Sequence, residues 1–104
     1  MTKLTWMLAA LLIGAAGAAH AQNVETGRVM ALYADPGTNP DFVIELDRRG
    51  RCGSNFYHLI RSYPNFQQAV DLANLALAHD KKMIVWLISC RGDRNILSHA
   101  AVAR

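Results

Sequence analysis

The chain has 104 residues, 52% of them hydrophobic, and its 11 lysines and arginines against 8 acidic residues give a formal charge of +3. That length supports one hydrophobic core and excludes two. A charge this small keeps a domain soluble and does not select a polyanion such as nucleic acid as partner.

The first segment, MTKLTWMLAALLIGAAGAAHAQ, carries one early cation, Lys3, and an apolar run from Leu4 to Ala19. It ends in Ala19-His20-Ala21, small residues at the two positions a signal peptidase reads. The alternative is a membrane anchor, but the run is about 16 residues, rich in Gly and Ala, and a bilayer span needs ~20. The expectation is a secretory signal over residues 1–21 and a single domain over 22–104, secreted or periplasmic, with no stable membrane insertion after cleavage. The excised segment takes Lys3 and much of the hydrophobicity with it. The 83 residues that remain bury only about 60–65% of their unfolded surface, so a covalent staple matters.

GRVMALYAD (Gly27–Asp35) is the first strand candidate, followed by the dense turn signal PGTNPD (Pro36–Asp41). FVIELD then alternates, with Phe42, Ile44 and Leu46 on one face and Val43, Glu45 and Asp47 on a wet one. RRGRCGS is a turn, and NFYHLI (Asn55–Ile60) a third strand in which Phe56, His58 and Ile60 share a face. The period then becomes helical: Phe66, Ala69, Val70, Ala73, Ala76 and Leu77 fall on one side, and Asn65 with Gln68 suggests a capping box. KKMIVWLIS (Lys81–Ser89) is a near-continuous apolar strand centred on Trp86, which predicts burial on both faces. CRGDRN is a turn and ILSHAAVA (Ile96–Ala103) the last strand. The fold class is mainly β with one helix. Its order, β-β-β-α-β-β, is that of the OB-fold, a five-stranded Greek-key barrel.

Cys52 and Cys90 are the only cysteines. In an exported chain an even count reads as a disulfide, and two cysteines allow one intramolecular pairing. The competing chemistries are poorly served: His58, His79 and His99 show no zinc-type spacing with either cysteine, and neither cysteine lies in a C-x-x-C or nucleophile motif.

GRVMALYAD, FVIELD, the cysteine in RCGSNFYHLI, and the Ala/Leu-rich helix leading into a strand that ends at the second cysteine (PNFQQAVDLANLALAHDKKMIVWLISC) resemble small secreted OB-fold domains. These are the domains related to the B subunits of subtilase-type and pertussis-like bacterial toxins. The resemblance covers most of Gly27–Val102. It implies a non-enzymatic binding module, a glycan ligand held on the side of the barrel, a pentameric ring and an enzymatic toxin subunit as partner; the alternative is a periplasmic OB-fold interaction protein that binds another envelope protein or a peptide. The resemblance implies no cofactor and assigns no glycan-binding residue.

Sugars are held by aromatic faces together with carboxylate, amide and guanidinium hydrogen bonds. The residues of those types near strand ends and loops are Tyr33, Asp35, Asn39, Asp41, Tyr57, Arg61 and Tyr63, set against ordinary barrel and turn roles for each. Arg48, Arg49 and Arg51 invite a phosphate-binding reading, which Glu45, Asp47 and export oppose in favour of a solvated turn. The tripeptide Arg91-Gly92-Asp93 matches an integrin-binding motif, and a turn after a strand collects the same residues without one. No nucleophile elbow, metal-spaced histidines or isolated carboxylate pair points to catalysis. A small enzyme is the remaining alternative, with His58 and His99 as its acid/base groups.

Overall fold

The computed structural model describes residues 23–34 and 41–104. The expected signal segment and two of the candidate ligand residues, Asp35 and Asn39, lie outside the described residues. The elements are β1 (Val24–Ala34), β2 (Phe42–Leu46), β3 (Phe56–Leu59), α1 (Phe66–His79), β4 (Lys82–Arg91) and β5 (Arg94–Ala103). Antiparallel pairing joins β1 to β2, β2 to β3 and β4 to β5, and the first half of β1 pairs antiparallel with β4. A parallel contact between β3 and β5 completes the ring β1-β2-β3-β5-β4, and the sheet closes into a barrel. One long strand serves two neighbours because β1 changes partner along its length. A bulge between Val29 and Ala31 bends it there and leaves Met30 exposed.

The period-two pattern decides what fills the barrel. Ile44, Leu46, Tyr57, Leu59, Met83, Val85, Leu87 and Leu97 are buried in one cluster, joined by Ala69, Ala73 and Ala76 of α1. The three alanines let the helix lie close against the barrel, where it packs on β1 and β5. Each full-length apolar side chain of this kind contributes about 1.5–3 kcal/mol on burial.

Three expectations are corrected. Asn65 makes no side-chain cap on α1; its Nδ2 donates to the Ser98 carbonyl at 3.0 Å and ties the helix entry to β5 instead. β4 is not buried on both faces. Met83, Val85 and Leu87 point inward, while Trp86 is half-buried on the outer face and Ile88 is exposed. Trp86 covers its apolar surface by stacking on its cross-strand partner His99, at 4.4 Å between ring centroids. Finally, Val43 on the outward side of β2 is buried under its neighbours.

The β3–β5 seam is the shortest pairing, with two partnered positions, Tyr57 with Asn95 and His58 with Ile96. Other bonds reinforce it. Cys52 and Cys90 form a disulfide that clips the β2–β3 connection to the end of β4. Closing a 38-residue separation is worth about 4 kcal/mol in the chain-entropy model. The fully buried Asn95 amide accepts from the Cys52 N–H at 3.0 Å and donates to the carbonyls of Ser54 and Phe56 at 3.0 and 2.9 Å. Gly50 packs directly on this amide, and a Cβ there would overlap it. Gly92, at φ +63°, forms the two-residue β4–β5 turn that brings Asp93 to the Ser54 hydroxyl, which donates to its carbonyl at 2.6 Å.

Asn95→Ala would leave one buried donor and two carbonyls without their partner. Urea denaturation is expected to show a loss of about 3 kcal/mol, at roughly 1–3 kcal/mol per unsatisfied group with partial relief by water. Leu75→Ala, on the exposed side of α1, is expected to change stability by less than about 0.5 kcal/mol.

Candidate functional site

On the outer surface of the barrel, β1, β2, β3 and the start of β5 border a depression of about 390 Å³ lined by Tyr33, Ala34, Val43, Phe56 and Arg94. Register places these side chains together: Tyr33 pairs with Val43, Val43 with His58, and Glu45 with Phe56. Alternation along β3 sends Tyr57 inward and Phe56 and His58 outward. The Tyr33 and Phe56 rings meet edge to face at 6.1 Å, and the Arg94 guanidinium lies over the Phe56 ring at 4.5 Å. The Tyr33 hydroxyl donates to Glu45 Oε1 at 2.7 Å. That bond to a carboxylate, with burial and the negative charge of Glu45, raises the Tyr33 pKa and keeps the phenol protonated.

Behind this surface runs a polar chain. His58 is nearly buried, with Nε2 at 3.1 Å from Arg94 Nη1 and Nδ1 at 3.3 Å from Asp41 Oδ2. A guanidinium can only donate, so Nε2 is the acceptor, and the ring proton sits on Nδ1, where it is donated to Asp41. The same Asp41 oxygen accepts from Arg91 Nη1 at 2.7 Å. Asp41 is therefore paired with a cation while its side chain is only 10% exposed. Burial is the main cause of a lowered His58 pKa; the hydrogen bond and charge of Asp41 oppose it, and the positive charges of Arg94 and Arg91 add to it. His58 is thus neutral near pH 7.

The candidates read from sequence separate into three groups. Tyr33 forms one wall of the depression, and Asp41 supports it through His58 and Arg91. Tyr57 is a core residue with no exposed surface. Its hydroxyl donates to the Arg48 carbonyl at 2.7 Å, and burial raises its pKa far above the ordinary tyrosine range. A ligand reaching the outer face cannot touch it. Arg61 and Tyr63 sit in the β3–α1 connection and do not line the depression. Arg61 lies over the Phe66 ring at 4.9 Å, and the Tyr63 N–H donates to the Ile60 carbonyl.

Phe56, Arg94 and Glu45 were not among the ligand candidates, and His58 and Arg91 were weighed only as an acid/base group and as part of the Arg-Gly-Asp tripeptide. Strand periodicity already put Phe56 and His58 on one face of β3. What was missing is the parallel β3–β5 contact, which no local pattern encodes and which brings Arg94 alongside them. The other motifs also resolve. Arg91 of the Arg-Gly-Asp tripeptide is engaged by Asp41, and Arg51 Nη1 donates to the Asn23 side chain. Both cysteines are in the disulfide, and among the described residues no group of three His, Cys, Asp or Glu side chains converges on a metal-sized site. Among the same residues no helix is long and apolar enough to cross a membrane.

The His58 shift has a signed consequence. With the folded pKa below the unfolded value, the unfolded chain takes up the proton first as pH falls through ~6.5, so the folded state loses stability from that point downward. Denaturation midpoints measured between about pH 7.5 and pH 5.5 are expected to fall with acidification, and the slope is expected to flatten in His58→Gln.

No family model, curated protein or solved structure matches the chain.

Proposed function

We propose that the chain is a secreted or periplasmic binding module with an OB-fold barrel, similar to bacterial toxin B subunits, and that it holds a glycan on the Tyr33–Phe56–Arg94 face. One observation carries this reading: two aromatic rings and a guanidinium border a single open depression on the outer β2–β3 surface. The depression lies at the end of β1 and the start of β5, next to the β4–β5 turn. This is the face on which OB-folds take oligosaccharides. Aromatic faces cover the apolar side of a sugar ring, while Arg94 offers hydrogen-bond donors to its hydroxyl or acidic groups. A volume of about 390 Å³ accommodates one or two sugar units.

The same geometry favours binding over catalysis. The His58 Nε2 lone pair is occupied by Arg94, so His58 is not a free general base, and the sulfurs of Cys52 and Cys90 are bonded to each other, so neither is a thiolate nucleophile. A second reading, docking of another envelope protein, a toxin subunit or further copies in a ring, draws on a different surface. Exposed Val24 and Ile88 flank the Trp86–His99 stack on the outer face of β4.

The test is a glycan array probed with the oxidised protein produced from the full chain. Retention of a defined set of glycans is expected, reduced at least about tenfold in Phe56→Ala and in Arg94→Gln. A blank array, or binding indifferent to both substitutions, would contradict the glycan reading. Envelope-protein capture that survives those substitutions would favour the second one.

A further inference from the structure

From the polar chain behind the depression we infer that His58 is a positioning residue. Its neutral Nδ1–H tautomer holds Arg94 across the Phe56 ring, so the binding face is assembled near neutral pH and released by a single protonation. The binding consequence rests on the glycan reading above; the tautomer and its coupling to Arg94 do not.

His58 does not line the depression, so it acts through Arg94. Among the described residues three charged groups act on the ring: Asp41 just ahead of β2, Arg91 at the end of β4 and Arg94 at the start of β5. Around a neutral imidazole this is two cations and one carboxylate. The free position for an added proton is Nε2, because Nδ1–H is already donated to Asp41. Protonated Nε2 and Arg94 Nη1 would then be two donors at 3.1 Å, and the contact cannot persist. His58 and Asp41 are nearly buried and strengthen their own pairing once the ring is charged. Arg94 is the partner with somewhere to go. Its side chain is 41% exposed, and among the described residues its remaining holds are the Phe56 ring at 4.5 Å and a loose approach to exposed Asp93 at 3.8 Å. The cost of protonation therefore falls on the residue that forms the wall of the site.

Long-range proton–nitrogen NMR of the ¹⁵N-labelled, oxidised protein from the full chain reads this directly. At neutral pH the His58 Nε2 resonance is expected in the unprotonated range and Nδ1 in the protonated range. On acidification Nε2 is expected to protonate with a midpoint below the ordinary ~6.5, and the Arg94 Nε–H signal to move with the same midpoint. Arg94→Gln, which removes one cation from the ring, is expected to raise that midpoint. A proton on Nε2 at neutral pH, or an Arg94 signal indifferent to the titration, would overturn the assignment. A second arm re-probes, near pH 5, the array glycans retained near pH 7.5. Loss of the Arg94 contact is expected to weaken them about tenfold, and unchanged binding would overturn the release step. A blank array at both pH values removes the glycan reading alone, and the NMR result then decides the positioning role.

Discussion

The barrel depends on closing its shortest seam. β3 and β5 share two partnered positions, against nine for β4 and β5, so the backbone ladder contributes least where closure is needed. The protein supplies side-chain bonds there in compensation. The Asn95 amide makes three hydrogen bonds across the seam, the disulfide crosses beside it, and Ser54 reaches the β4–β5 turn. A buried amide with all its partners rigidifies, and one with partners missing destabilises, so Asn95 makes the seam all-or-none. For a domain of this size, with a total stability on the order of 5 kcal/mol, those bonds decide whether the barrel is closed.

The candidate site straddles the same seam. Phe56 and His58 come from β3 and Arg94 from β5, one residue before Asn95. Closure therefore creates the site. Alternation sends Asn95 into the barrel and Arg94 out onto the candidate site, so one dipeptide serves stability with one side chain and the proposed binding face with the other. The electrostatics follow from this placement. Bringing Arg91 and Arg94 to one end of the barrel requires a counter-charge, which Asp41 supplies from the start of β2. His58 bridges the remaining gap as a neutral relay, donating to Asp41 and accepting from Arg94. The surface is polar enough to orient a ligand and still carries two aromatic faces to pack against it.

Much of this was legible in the sequence, and what was not has a physical cause. Strand order, the helix and the Cys52–Cys90 pairing follow from periodicity, turn residues and the expectation of export. Tyr33 and Asp41 were recognisable as polar residues at strand ends. Tyr57 was misplaced because its type suits both a core and a sugar platform, and only the register with Ile44 turns it inward. Asn65 looked like a helix cap because local sequence does not reveal that a β5 carbonyl competes for its amide. Arg94 was read as part of a turn, and its role depends on a contact with Phe56 and His58 across 36 or more positions of chain. Local chemistry can be read along a chain. Juxtaposition across a closing seam cannot.

The central claim is that the seam opens only with the whole barrel, and native-state hydrogen exchange of the Cys52 amide tests it most directly. That N–H donates to the Asn95 side chain and belongs to a connection that would otherwise exchange as an ordinary surface loop. In the oxidised protein its protection is expected to match that of the core amides of Ile44 and Val85, with exchange through global unfolding. Protection lower by several orders of magnitude, with the core amides still protected, would show that the seam opens on its own and would contradict the account.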